Sequence, residues 1–113
     1  MSVENISLIR GESFTWTGVL RDRNGVRIDL TSLTLTWKAG EKDFLRAEIE
    51  LSEGNGITVT DAVRGEWQID IRTADTKEQT EGLYRHQGFA TDGNTVNRLF
   101  TRGRLDIRGD IRT

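Results

Sequence analysis

Apolar side chains fall on every second position through most of this chain. Phe14, Trp16, Gly18 and Leu20 share one face of a segment, as do Val26, Ile28 and Leu30, then Leu33, Leu35, Trp37 and Ala39, then Ala47, Ile49 and Leu51. Ile57 with Val59, and Trp67 with Ile69 and Ile71, continue the scheme. Successive side chains of an extended strand point to opposite faces, so this period predicts short strands with one buried and one wet side. The longest run closes the sequence. From Arg98 to Thr113, odd positions carry Leu99, Leu105, Ile107 and Ile111, while even positions carry five arginines and two aspartates. A strand at the end of a chain is expected to be tied into a sheet or handed to a neighbour.

Turn signals separate these runs: Arg23-Asn24-Gly25, Ala39-Gly40-Glu41-Lys42, Glu53-Gly54-Asn55-Gly56, Val63-Arg64-Gly65, Glu81-Gly82 and Asp92-Gly93-Asn94. Glycine and asparagine reach positive φ at little cost, which makes these hairpin points. Strands this short and this evenly spaced predict a sandwich or a barrel. One segment breaks the rhythm. Thr73 to Gly82 has no apolar side chain larger than alanine; Thr73 suits a helix start, Asp75 and Glu78 its early turns, and Gly82 a left-handed close. A single short helical turn is expected there, lying across one end of the sheet because it has no wide apolar stripe.

Composition narrows the picture. The 113 residues suit one domain, 1–113, long enough to bury about two thirds of its unfolded surface without staples. With no cysteine there are no disulfides and no thiolate metal site, and nothing points to an oxidising compartment. No apolar run approaches the ~20 residues of a membrane span, and Met1 to Asn5 lacks a signal-peptide pattern, so a soluble protein without a membrane partner is expected. The formal net charge of −2 gives no global attraction to nucleic acid. Twelve glycines and no proline leave charge, rather than proline, to protect exposed sheet edges.

Candidate chemistry is sparse. His86 is the only histidine, and no sequence motif gives it a nucleophile and an orienting partner, so a structural or surface role is favoured over that of a general base. One histidine without cysteine makes a zinc site improbable, and neither metal nor cofactor is expected. The same-face carboxylate pairs, Glu48 with Glu50 and Asp106 with Asp110, alternate with aliphatic residues and read as wet strand faces rather than a glycosidase pair. Asp22-Arg23-Asn24-Gly25 lacks the remaining ligands of a calcium loop and reads as a hairpin turn. Trp16, Trp37 and Trp67 are in register with aliphatic neighbours, the placement of core residues, although a stacking platform for sugars is the alternative. Phe89 and Phe100 fall opposite their strands' expected buried sides and are candidates for contact with a partner. Arg98, Arg102, Arg104, Arg108 and Arg112 share one face, interrupted by Asp106 and Asp110, which fits a solvated face or an interface with an acidic partner better than a nucleic-acid groove.

Several segments taken in order carry a resemblance: Leu8 to Trp16, Ile28 to Thr34, Gly56 to Val59, Gly65 to Ile69, Thr73 to Thr76, Gly82 to Tyr84 and Arg102 to Ile107. Together they resemble the small β-sandwich domains of tailed bacteriophages and prophages, similar to the N-terminal domain of baseplate upper proteins and to related tail and fibre modules. Gln79-Thr80-Glu81 stands where such modules usually have proline, and His86 and Gly88 stand where larger apolar residues are expected. The resemblance implies an all-β, immunoglobulin-like antiparallel β-sandwich with one short helical turn. It also implies a non-enzymatic virion structural protein of tail, baseplate or fibre, made in the bacterial host cytoplasm. Its partners would be copies of itself or other phage tail proteins, as a homo-oligomer built by symmetric, multivalent contacts. The candidate interface is Arg98, Phe100, Arg102, Arg104 and Arg108. The alternative function is a carbohydrate-binding module for a host-surface glycan; a small hydrolase is disfavoured.

Overall fold

The computed structural model describes residues 2–40, 47–79 and 81–109. The turn positions Glu41 and Lys42, Thr80, and the terminal Asp110, Ile111, Arg112 and Thr113 lie outside the described residues, as does the side chain of Ala47. The protein is all-β, with strands β1 (Ser2–Val3), β2 (Ile6–Ile9), β3 (Phe14–Val19), β4 (Thr34–Gly40), β5 (Ala47–Glu53), β6 (Gly56–Asp61), β7 (Glu66–Ile71), β8 (Gly82–Thr91) and β9 (Asn97–Arg108). One short helix, α1 (Thr73–Thr76), joins β7 to β8.

The strands form one nearly closed sheet in the order β1-β9-β8-β4-β5-β6-β7-β3, with β2 also paired to β9. Distant strands meet across a single core. The ring of Trp16 on β3 lies 5.9 Å from that of Trp37 on β4 and 5.7 Å from His86 on β8, and Trp67 on β7 packs edge-on against Phe100 on β9 at 4.9 Å. All three tryptophans are buried, as their register with aliphatic neighbours predicts. Gly18 falls in the same alternation for a steric reason: a Cβ there would stand 2.3 Å from Cζ2 of Trp67.

Four sequence expectations are corrected. The pairing is not purely antiparallel, because β1 and β2 run parallel to β9 along one continuous register. The turn at Glu53 to Gly56 is a step rather than a hairpin. Gly54 and Gly56 both take positive φ, the Gly54 amide donates to the Ile57 carbonyl at 3.0 Å, and β6 leaves parallel to β5. Val26, Ile28 and Leu30 do not build a strand. Leu30 is buried but Val26 is 60% exposed, and the segment divides its backbone bonds among Asp22, Leu20 and Ala62, with only an isolated bridge between Arg21 and Arg27. Finally, Gly82 opens β8 instead of closing the helix, which ends earlier.

The helix is held by one carboxylate and one hydroxyl. Asp75 accepts from the Arg72 backbone N–H at 2.7 Å and from its guanidinium at 3.0 Å, supplying an acceptor for an amide that the helix start leaves without one. The buried Thr76 hydroxyl accepts from the Gly11 amide at 3.0 Å and donates to the Glu12 carbonyl at 3.1 Å, tying this connection to the β2–β3 turn.

Candidate interaction face on the terminal strand

Strand β9 positions the arginines that alternation selects. Arg98, Arg102, Arg104 and Arg108 are all exposed. Arg98, however, precedes a bulge in β9 and pairs with the buried Ala90, so it lies on the opposite side of the sheet from the other three, which corrects its expected place on their face. Phe100 does not join them, which corrects its expected place in the candidate interface. Gly88 pairs with Thr101 and Phe89 with Leu99, so Phe100 is the extra residue of a β-bulge. The bulge shifts the alternation by one. Leu99 turns to the outer side, while Phe100 and Thr101 both face inward, Phe100 being only 1% exposed. Gly88 makes the room, since a Cβ at that position would lie 2.7 Å from Cζ of Phe100. Thr101 is buried at this bulge without a hydrogen-bond partner for its hydroxyl among the described residues.

The row also divides by charge environment. Arg108 reaches Asp106 at 3.4 Å, whereas Arg102 and Arg104 have no ion pair among the described residues. They share a shallow, open depression with Val3, Arg85 and Gln87 around Gly103. Arg85 stands directly opposite Arg104 in the β8–β9 ladder. Phe89 lies on the outer surface, as the alternation of β8 predicts, beside Thr36, Lys38, Gln87, Thr91 and Asn97. Arg85, Gln87 and Lys38 escape a search confined to the terminal strand, yet the period-2 pattern of β8 and β4 already places them on one side.

Beneath this face sits His86, 1% exposed. Its Nδ1 accepts from the Trp37 indole N–H at 3.1 Å, and its Nε2 lies 2.6 Å from the Glu4 carbonyl oxygen. An indole N–H only donates and a carbonyl only accepts, so the two partners select the neutral ring protonated on Nε2. Burial holds the His86 pKa below its ordinary value, opposed in part by the bond to Glu4. The histidine is therefore a structural one, as its sequence context predicts.

Several other carboxylates are structural. Asp22 and Asp92 accept backbone amides of their own turns, and Glu66 is held below the usual carboxylate range by hydrogen bonds from Arg27 and Arg64. Glu48 and Glu50 are exposed on β5, with Glu50 3.7 Å from Lys38. Among the described residues, no group of three or more histidine or carboxylate side chains is gathered to hold a metal ion.

No protein-family model and no curated protein matches the chain. Among solved structures it is similar to part of a family 123 glycoside hydrolase from Clostridium perfringens, a structure described for glycolipid glycan hydrolysis. The sequences are 10% identical with a TM-score of 0.45, and the match covers 100% of this chain but 24% of that one.

Proposed function

We propose that this chain is a non-enzymatic structural module of a tailed bacteriophage or prophage particle, folded as an immunoglobulin-like β-sandwich and assembling with copies of itself or with other tail proteins. The sheet order supports the sandwich. In this reading the run β9-β8-β4-β5 would be one layer and β6-β7-β3 the other, with the buried Trp37 of β4 between them and a helical turn leading into Tyr84 of β8. The parallel pairing of β2 with β9 then brings the start of the chain to the edge of the first layer.

The observation that carries the functional reading is the outer side of β8 and β9, where Arg85, Arg102 and Arg104 gather without carboxylate partners among the described residues. Like charges opposed across an antiparallel pair cost stability, so the arrangement is favoured where something acidic covers it. His86 supports a non-catalytic role, because both ring nitrogens are engaged in structural hydrogen bonds. The broad class rests on the ordered segments from Leu8 to Ile107 that resemble tail modules.

The test is immunological. Antibodies raised against the purified chain should label tailed particles released from the strain that encodes it, and their absence from such particles would overturn the assignment.

A further inference from the structure

The ladder registers align side chains across four strands. Arg102 is opposite Gln87, Gln87 opposite Lys38, and Lys38 opposite Glu50, so these four form one row on the outer surface. The next row carries Arg104, Arg85 and Gly40, with Glu48 at the bulge that ends the β4–β5 pairing. On the other side lies the row of Leu99, Phe89, Thr36 and Ser52. The alternate residues Ala39, Ile49 and His86 are buried, which fixes these rows as the outward ones. Charge is therefore graded across one surface, basic at β9 and acidic at β5.

Four other arginines are neutralised locally: Arg27 and Arg64 with Glu66, Arg72 with Asp75, Arg108 with Asp106. The acidic complement to Arg102 and Arg104 stands in their own rows, three strands away, beyond intramolecular reach at ~4.8 Å per strand.

From this register we propose that a second copy docks face to face on the β9-β8-β4-β5 surface, about a two-fold axis that runs along the strands between β4 and β8. The proposal rests on the self-assembly reading above and names its surface. Rotation about that axis keeps each residue in its row and exchanges β9 with β5 and β8 with β4. Arg102 then meets Glu50 of the second copy, Arg104 meets its Glu48, Gln87 meets its Lys38, and Phe89 meets its Thr36. Every contact occurs twice, as a two-fold interface requires. The half-buried Phe89 rings come together near the axis and supply an apolar centre within a charged rim.

The surface is small. Four strands ~4.8 Å apart and about five residues deep present on the order of 300 Å² per copy, well under the ~800 Å² of a standard interface. A weak, salt-sensitive dimer is expected, with repetition in a particle supplying the avidity.

Sedimentation equilibrium from about 10 μM to about 1 mM, the range of weak association, tests this. The wild-type chain should dimerise. Arg102→Glu with Arg104→Glu should weaken the dimer at least about tenfold, as should Glu48→Arg with Glu50→Arg, and an equimolar mixture of the two variants should recover near wild-type association. Phe89→Ser provides a second route to the same loss without altering charge. A wild-type chain that stays monomeric throughout overturns the docking and the self-association half of the functional reading together. Association unmoved by any of the variants overturns this surface alone. Loss in both charge variants without recovery on mixing overturns the pairing of rows.

Discussion

His86 Nε2 lies 2.6 Å from the carbonyl oxygen of Glu4, and that contact explains why the first strand is split in two. In a parallel ladder Glu4, opposite Gly103, would donate to the Arg102 carbonyl and accept from the Arg104 amide. It does the first, at 2.9 Å, but its carbonyl turns inward to the histidine. The side chain of Asn5 takes over, its Oδ1 accepting the Arg104 amide at 3.1 Å. Replacing His86 by phenylalanine leaves the Trp37 indole N–H and the Glu4 carbonyl without this partner. The cost should be about 1–3 kcal/mol for each buried group left unpaired. Urea denaturation checks this, and a loss below ~1 kcal/mol would show that the ring acts only by filling space.

Burial of the same ring makes stability depend on pH in a defined direction, the bond to Glu4 opposing it in part. Because the folded-state pKa of His86 is held below the ordinary value near 6.5, the unfolded chain binds the extra proton more readily. The contribution is complete above pH ~6.5 and is lost as pH falls through the folded-state value. Asp29, Glu66 and Asp92 also sit below their ordinary values, so their contributions are lost only at lower pH, below about 5. Denaturation midpoints measured between about pH 5 and 8 should rise with pH in the wild type and lie flat in His86→Gln, which cannot titrate. A slope common to both would assign the effect elsewhere.

Gly103 is the steric condition for this arrangement. A Cβ there would lie 1.9 Å from the Glu4 oxygen and 2.9 Å from His86 Nε2, at a φ of +157°. Gly103→Ala should cost about 1–3 kcal/mol, and the loss should be local to the start of the chain. Hydrogen exchange is the direct readout: faster exchange of the Glu4 amide with β6 and β7 unchanged is expected.

Phe100 and Phe89 separate the two sides of the sheet. Phe100→Ala should destabilise by about 3–5 kcal/mol, because it empties the space against Trp67. Phe89→Ala, on the outer surface, should change stability by no more than about 1 kcal/mol. Equal effects in thermal unfolding would place the bulge wrongly.

The buried Thr101 hydroxyl, without a partner among the described residues, is a cost of that bulge. Thr101→Val keeps the shape and removes the polar atom, so a gain of up to about 1 kcal/mol is expected. A loss of that size, measured as a lowered Tm, would mean that the hydroxyl is satisfied in solution.

Alternation placed most of the core without a structure. Trp37, Leu35, Ile69, Leu105 and Ile107 are buried where period 2 puts them, because a strand has only two faces to offer. Phe100 could not be read this way. Its side is decided by one extra residue and by the absence of a side chain at Gly88 on the neighbouring strand, and that pairing is invisible in local sequence. The step at Glu53 to Gly56 failed for a related reason: a glycine-rich tetrapeptide permits a hairpin and a parallel offset alike, and the strands on either side choose.

The arginine row was legible as a wet face, but its partition was not. Asp106 beside Arg108 follows from their spacing, whereas Arg85 opposite Arg104 follows from strand pairing alone. By itself the sequence determined that this chain is built from strands and which side chains are apolar enough to fill its interior, and it offered no motif that pairs its single histidine with a nucleophile. Tertiary structure decided that this histidine joins the first strand to the core, that one phenylalanine is inside and another outside, and that basic and acidic residues lie in shared rows. Periodicity is a property of one strand, while register is a property of two.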